Sequence, residues 1–464
     1  MAAMKVMKKA GKATKAPRTV DKKGLAAARR ATTMTSEEWK KLQVGMAAKW
    51  PAPEYMKDGH REGKGHTAYR DETFELMTRM KADTKVSYRP RAKRPGTKRH
   101  PRYEGYMKSK TAAQALHNGA WPADWCWDFE RGFLQVDKKT LRSEPIDVSQ
   151  VTDDATMTEV DRAVYQWYRR ELARTLGLKY EDLFVDKGSQ ETTIMRAHRL
   201  VAQRECVAVL KSCKKEKRMV TDAELTKVLM QWGFARNGTR LNVMREGQKW
   251  VFSDTLGLLV DRTHDIHLTQ GSVKYPEVVQ VMNKWLTDRL PAEAKNFTWS
   301  SINVNKNYAA SVHRDGNNFG PSMISAFGDF TGGLLNYYPT DDGKGEPEDV
   351  EAREKAVKID LKNGLAHFNA HTAHSVDDFK NNRFTVVYFT IGCHDQMSKD
   401  CRKQLCDLGF YVPARDQDPY RLLRPPPQAK RYKQRVPASP AQAKRARLPS
   451  SRYWPKTELV KGRK

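Results

Sequence analysis

Between residues 322 and 390 the chain is cut into short apolar runs by Gly, Asn and Asp. SMISAFG (322–328), the end of GDFTGGLLNYY (328–338), VKIDL (357–361), GLAHFN (364–369) and FTVVYFT (384–390) are each a strand in length and too short for a helix. A stretch punctuated this way has little choice but to form sheet. Many short strands with turn residues between them suit a double-stranded β-helix, the jelly-roll barrel.

Set among these runs are residues that carry chemistry. His313 and Asp315 lie in SVHRDGNN, His374 in HTAHSVDD, and Arg383 with Thr385 in NNRFTVVYF. On a strand, side chains alternate, so an H-x-D pair presents both groups to one side while Arg314 points away. Two imidazoles and one carboxylate on one face of iron(II) leave three positions open, two for a chelating 2-oxo acid and one for oxygen. The same parity groups Arg383, Thr385 and Val387. Arg383 is then placed to hold a carboxylate through a paired, charge-assisted contact, with the Thr385 hydroxyl adding a second hydrogen bond.

The run SINVNKNYAASVHRDGNNFGPSMISAFGDFTGGLL resembles the catalytic core of the TET/JBP group, over roughly residues 296–392. The GDFTGG turn and the pair Asn303 and Asn305 resemble members from protists and algae. The resemblance implies a jelly-roll dioxygenase with iron(II) on His313, Asp315 and His374. It implies 2-oxoglutarate, or ascorbate in its place, as cosubstrate beside O2, with Arg383, Thr385, Asn303 and Asn305 at the cofactor. The implied substrate is the 5-methyl group of 5-methylcytosine or thymine in DNA. A base must leave the duplex to reach such a metal, and Asn317, Asn318, Phe319, Tyr337 and His371 are the candidates to hold it. Two other readings stay open: an oxygenase acting on RNA or a protein side chain, and a chromatin-binding protein with an inactive barrel.

Charge divides the chain. Residues 1–110 carry 29 Lys and Arg against 11 Asp and Glu, and residues 411–464 carry 15 against 3, within a total of +29; the middle is close to neutral. Basic ends bind polyanions by counterion release; DNA, RNA and anionic membranes all qualify by charge, and together with the resemblance DNA is the expected partner. The clusters Lys430–Arg435 and Lys444–Arg447 have the form of a bipartite nuclear import signal, and a start with no acidic residue before Asp21 makes an organelle address the alternative. No apolar run spans a membrane and no signal-peptide core follows the start. Six cysteines therefore read as reduced thiols. Cys393, His394, Cys401 and Cys406 are close in sequence but not at zinc-finger spacing.

The expected architecture is α+β. A basic, largely disordered arm fills 1–110, with Tyr88 and Tyr103 as candidate base-stacking residues. A mainly helical region, 111–295, buttresses a jelly-roll core at 296–410, and a disordered basic tail follows at 411–464. Within 111–295, Trp121, Trp125 and Trp127 read as core. The patterns of 161–177, 191–213, 221–233 and 275–290 predict helices.

Overall fold

The computed structural model describes residues 34–60, 69–146, 157–185, 191–261, 263–362, 364–414 and 430–433. The basic start and most of the tail lie outside them, as does most of the proposed import signal. The chain divides into two compact units, one of residues 1–148 and 153–171 and one of 149–152 and 172–464.

The first unit holds helices α1 (Ser36–Ala47), α2 (Asp71–Thr78), α3 (His100–Tyr106), α4 (Ala112–His117) and α5 (Pro122–Glu130). Strands β1 (Val86–Tyr88) and β2 (Leu134–Val136) pair antiparallel. Over the described residues 34–60 and 69–110 this corrects the expectation of a disordered arm spanning 1–110. The residues that looked like a charged linker contain their own aromatic core. Tyr88, Tyr103 and Tyr106 pack edge to face at 5.2–6.1 Å. Both candidate base-stacking tyrosines are thus buried. Trp125 is fully buried beside them, whereas Trp121 and Trp127 are half-buried. Asp128, at the base of this core, accepts from the Tyr106 hydroxyl (2.8 Å) and pairs with the buried Lys93. The division between units falls within α6 (Glu159–Leu176).

The second unit continues with α7 (Thr193–Glu216), α8 (Asp222–Gln231), β3 (Arg236–Asn237), β4 (Val251–Val260), β5 (Ile266–Leu268), α9 (Gln270–Lys274) and α10 (Pro276–Thr287). Then come β6 (Ser301–Lys306), β7 (Ser322–Gly328), β8 (Thr331–Gly332), β9 (Leu335–Tyr337), α11 (Pro347–Arg353), β10 (Val357–Ile359) and β11 (Gly364–Phe368). The last elements are β12 (His374–Val376), β13 (Phe379–Lys380), β14 (Arg383–Phe389), α12 (Lys399–Asp407) and β15 (Lys430–Lys433). Helix starts follow local chemistry. Thr192 caps α7, Thr221 and Glu224 form a reciprocal capping box on α8, and Pro276 opens α10.

The main sheet has eight strands, in the order β15-β11-β7-β14-β6-β4-β3 with β5 on β4, and every pairing is antiparallel. A second sheet runs β10-β9-β12, a two-stranded ribbon joins β13 to β8, and none of these sheets closes on itself. The sheet begins well before residue 296: β4, ten residues long, lies in the region expected to be helical. Its central Asp254 is bonded by Arg199 of α7 (2.9 Å), by the Trp232 indole and by the Ala235 amide (3.0 Å each). β15 also lies where a disordered tail was expected.

Alternation splits the main sheet into two chemistries. Phe252, Leu256, Ile302, Val304, Met323, Phe327, Leu365, Phe384, Val386 and Tyr388 join Leu225, Val228, Leu229, Val278, Met282 and Trp285 of α8 and α10 in one core. On the other face Ile324, Ala326, Ala366 and Phe368 pack with Leu335, Tyr337 and Ile359 of the second sheet. No helix among the described residues is long and apolar enough to cross a membrane.

Candidate metal centre

The register of the main sheet assembles the site. Ser253, Asn305, Thr385 and Ala326 lie in one cross-strand row, and Thr255, Asn303, Val387 and Ile324 in the next. Directly opposed residues share a face. Asn305 and Thr385 of the first row and all four residues of the second line the cavity, together with Arg383 and Phe389 from β14. The cavity, about 320 Å³, is completed by Asn237, Arg240, Tyr308, His313, Asp315, Asn318, His374 and their neighbours.

His313 and His374 are held together by backbone. They form an isolated antiparallel bridge, each amide donating to the other's carbonyl at 3.0 Å. The expected H-x-D strand is corrected here: only His313 makes the bridge. The Asp315 amide donates to the Ala370 carbonyl (2.8 Å) as the chain turns through Gly316 and Asn317. The imidazole centroids are 4.2 Å apart, and His313 Nε2 lies 3.9 Å from Asp315 Oδ1. One donor atom from each of the three residues falls within 4.8 Å of the others, the only such group of three among the described residues. Cys393, His394, Cys401 and Cys406 form no such group.

The second nitrogens settle which atoms face inward. Nδ1–H of His313 donates to the Ser311 carbonyl (2.7 Å) and Nδ1–H of His374 to the Thr372 carbonyl (2.8 Å). Each ring thus keeps its Nε2 lone pair for the cavity, the arrangement that orients metal-bound histidines. Burial and the adjacent His374 ring lower the His313 pKa, against the pull of Asp315, so its imidazole is neutral. Two imidazoles and a carboxyl group, converging and pre-oriented, fit a divalent transition metal.

Arg383 supplies the cavity's deep cation. It is buried; Nη2 donates to the Gly333 carbonyl (3.1 Å), and the guanidinium carbon lies 5.3 and 5.5 Å from the Phe330 and Phe379 ring centres. Its Nε has no hydrogen-bond partner and, among the described residues, the side chain has no carboxylate partner. Burial pushes its pKa down to about 10. A buried, charged, incompletely bonded guanidinium is a costly arrangement that a ligand carboxylate would resolve. The φ of +68° at Gly333 and the 2.7 Å from its hypothetical Cβ to Arg383 Nε show why glycine ends the GDFTGG turn. Beside Arg383, Asn305 Nδ2 donates to Thr385 Oγ1 (3.1 Å) and the Tyr308 hydroxyl to Asn305 Oδ1 (2.9 Å). Asn303 lies one row away.

The remaining candidates divide. Asn318 lines the cavity. Asn317 is on the exposed turn, where its carbonyl accepts from the Gly392 amide (2.8 Å). Phe319 packs on His394 at 4.4 Å. His371 Nε2 is bonded to the Asn318 carbonyl (2.8 Å), and Tyr337 is buried in the core between the sheets. None of these four lines the cavity. Sequence reading missed Tyr308 and Arg240. Tyr308 follows Asn307, whose φ of +53° breaks strand parity. Arg240 is a loop cation among 84 Lys and Arg.

No family model matches the chain, and no curated protein does. Among solved structures it is similar to a crystal structure described as an oxidoreductase of the 2OG-Fe(II) oxygenase family from Burkholderia pseudomallei. Identity is 13%, the match covers 33% of this chain and 74% of that one, and the TM-score is 0.22. The site's own geometry, not that likeness, carries the functional reading.

Proposed function

We propose that the chain is a mononuclear iron(II) oxygenase that consumes 2-oxoglutarate and hydroxylates the 5-methyl group of 5-methylcytosine or thymine in DNA. One observation carries the enzyme reading: a pre-oriented His313, Asp315 and His374 set shares a cavity with a buried Arg383 that, among the described residues, has no carboxylate partner. We read the facing sheets as an open jelly roll. The DNA substrate is supported by the TET/JBP resemblance and by the +29 charge concentrated at the chain ends. The same charge distribution supports a nuclear location.

Iron(II), when bound, supplies the reduction of O2 coupled to decarboxylation of the 2-oxo acid, one oxygen atom entering succinate and the other the methyl C–H bond. The protein's part is positioning. His313, Asp315 and His374 hold the metal. Arg383, backed by Phe330 and Phe379 and flanked by Thr385, takes the far carboxylate of the cosubstrate and fixes the direction in which it enters. Tyr308 and Asn305 orient the Thr385 hydroxyl through one hydrogen-bonded chain. Ile324, Leu335, Phe368, Val376 and Val387 give the cavity an apolar wall that keeps water from the reacting carbon.

The test is mass spectrometry of nucleosides from methylated duplex DNA after incubation with protein, iron(II), 2-oxoglutarate and ascorbate, omitting each in turn. A pyrimidine nucleoside heavier by one oxygen atom, absent with His313→Ala, is the expected result. Succinate without a modified nucleoside would move the substrate to RNA or protein. Formation of neither product, succinate nor modified nucleoside, is the result that sinks the enzyme reading.

A further inference from the structure

The cavity has a second cation, at its mouth. Arg240 stands between β3 and β4 and lines the same cavity as His313 and Asp315. Its Nη1 donates to Asn303 Oδ1 (3.0 Å) and approaches Ser253 Oγ (3.4 Å), both neutral, and among the described residues it has no carboxylate partner. Unlike Arg383 it is half exposed. Its charge is therefore held in place but not neutralised, with N–H groups left over.

Its neighbours form a lip tied down by one backbone hydrogen bond. Residues Leu241–Val243 make a single helical turn. Val243 is buried and lines the cavity, and its carbonyl accepts from the Ser311 amide (3.0 Å), two residues before His313. Arg240 and Val243 thus face inward, while Leu241 between them is 75% exposed. A large apolar side chain stands in solvent beside an unneutralised guanidinium, on a turn anchored to the metal-binding segment.

We propose that this lip engages the DNA strand at the point where the target base leaves the stack, Arg240 taking a flanking phosphate and Leu241 filling the vacated space. The inference rests on the nucleic-acid reading above. A base that enters a pocket leaves its phosphates at the rim, where a planar guanidinium can pair two phosphate oxygens. Apolar side chains that wedge between base steps hold a distorted duplex open. Arg383 is too deep for this task and Arg240 too exposed to need a permanent partner.

The experiment uses the full chain and a duplex with 2-aminopurine beside 5-methylcytosine. Fluorescence anisotropy reads binding, and 2-aminopurine emission reads unstacking; neither requires turnover. Wild-type protein is expected to bind and to raise the emission. Leu241→Ala should lose most of the rise while binding within about threefold, since a surface truncation away from the core leaves stability nearly unchanged. Arg240→Gln should weaken binding and lower the salt slope by about one, with unchanged affinity for 2-oxoglutarate. Two variants indistinguishable from wild type would overturn the lip alone, as would an Arg240→Gln defect confined to 2-oxoglutarate. Wild-type protein that neither binds nor unstacks the duplex would overturn the nucleic-acid reading and the lip with it.

Discussion

The two faces of the main sheet are built from the same strands and do opposite work. On β6, Ile302 and Val304 enter the helical core while Asn303 and Asn305 line the cavity; on β14, Phe384, Val386 and Tyr388 go one way and Arg383, Thr385 and Val387 the other. One face gains by excluding polar groups and the other by gathering them. Period-two alternation lets adjacent residues obey both rules, so stability and chemistry are separable by parity.

The sharpest way to break this comparison is His313→Ala. It should abolish metal-dependent turnover while thermal unfolding stays near wild type, measured by succinate release and calorimetry. Next is Trp285→Ala on the helical side, which should cost about 3–5 kcal/mol, read from the denaturant midpoint. The fraction still folded should keep its 2-oxoglutarate KM. Arg383→Gln reverses that pattern: KM for 2-oxoglutarate should rise about tenfold or more, with no loss of stability, because the substitution removes a buried charge lacking a carboxylate partner. At a fixed metal concentration, a given concentration of 2-oxoglutarate should raise the wild-type midpoint further than that of the variant.

Acid sharpens the comparison from the helical side. His198 of α7 is buried, and burial pushes its pKa down to about 4. The folded state favours the neutral ring, while the unfolded chain takes a proton near pH 6.5. Stability is therefore expected to fall below that pH, by up to about 1.4 kcal/mol per unit until about pH 4. His198→Phe should flatten this segment of a stability-versus-pH curve. The smallest effect is Thr385→Val, which removes one hydrogen bond beside Arg383 at nearly constant volume. A loss of about 1 kcal/mol in 2-oxoglutarate binding is expected, with kcat unchanged.

What the sequence made legible follows the same division. β7, β11 and β14 could be read because apolar runs end at Gly or Asn. The grouping of His313, Asp315 and His374 in one cavity with Arg383 could be read in advance because few other tasks need two His, an Asp and an Arg in that order. β4 was not legible: Ser253, Asp254 and Thr255 stand together at its centre, and only the fold shows that Asp254 serves the helices while Thr255 lines the cavity and Ser253 bonds Asn303. The first unit was missed for a related reason. Its tyrosines are spread through Lys- and Arg-rich segments, so no window looks apolar, and the core forms by long-range contact. Arg240 carried no local signal, since its meaning lies in what faces it.

β15 has a consequence for handling the protein. Lys430–Lys433 pairs with Gly364–His367 and occupies what would otherwise be the open edge of β11. A chain cut before Lys430 would bare a row of N–H and C=O groups on a strand bearing Leu365 and Phe368, a template for pairing with another copy. Trimming the basic tail is then a route to aggregation, through lost edge protection and not through lost charge.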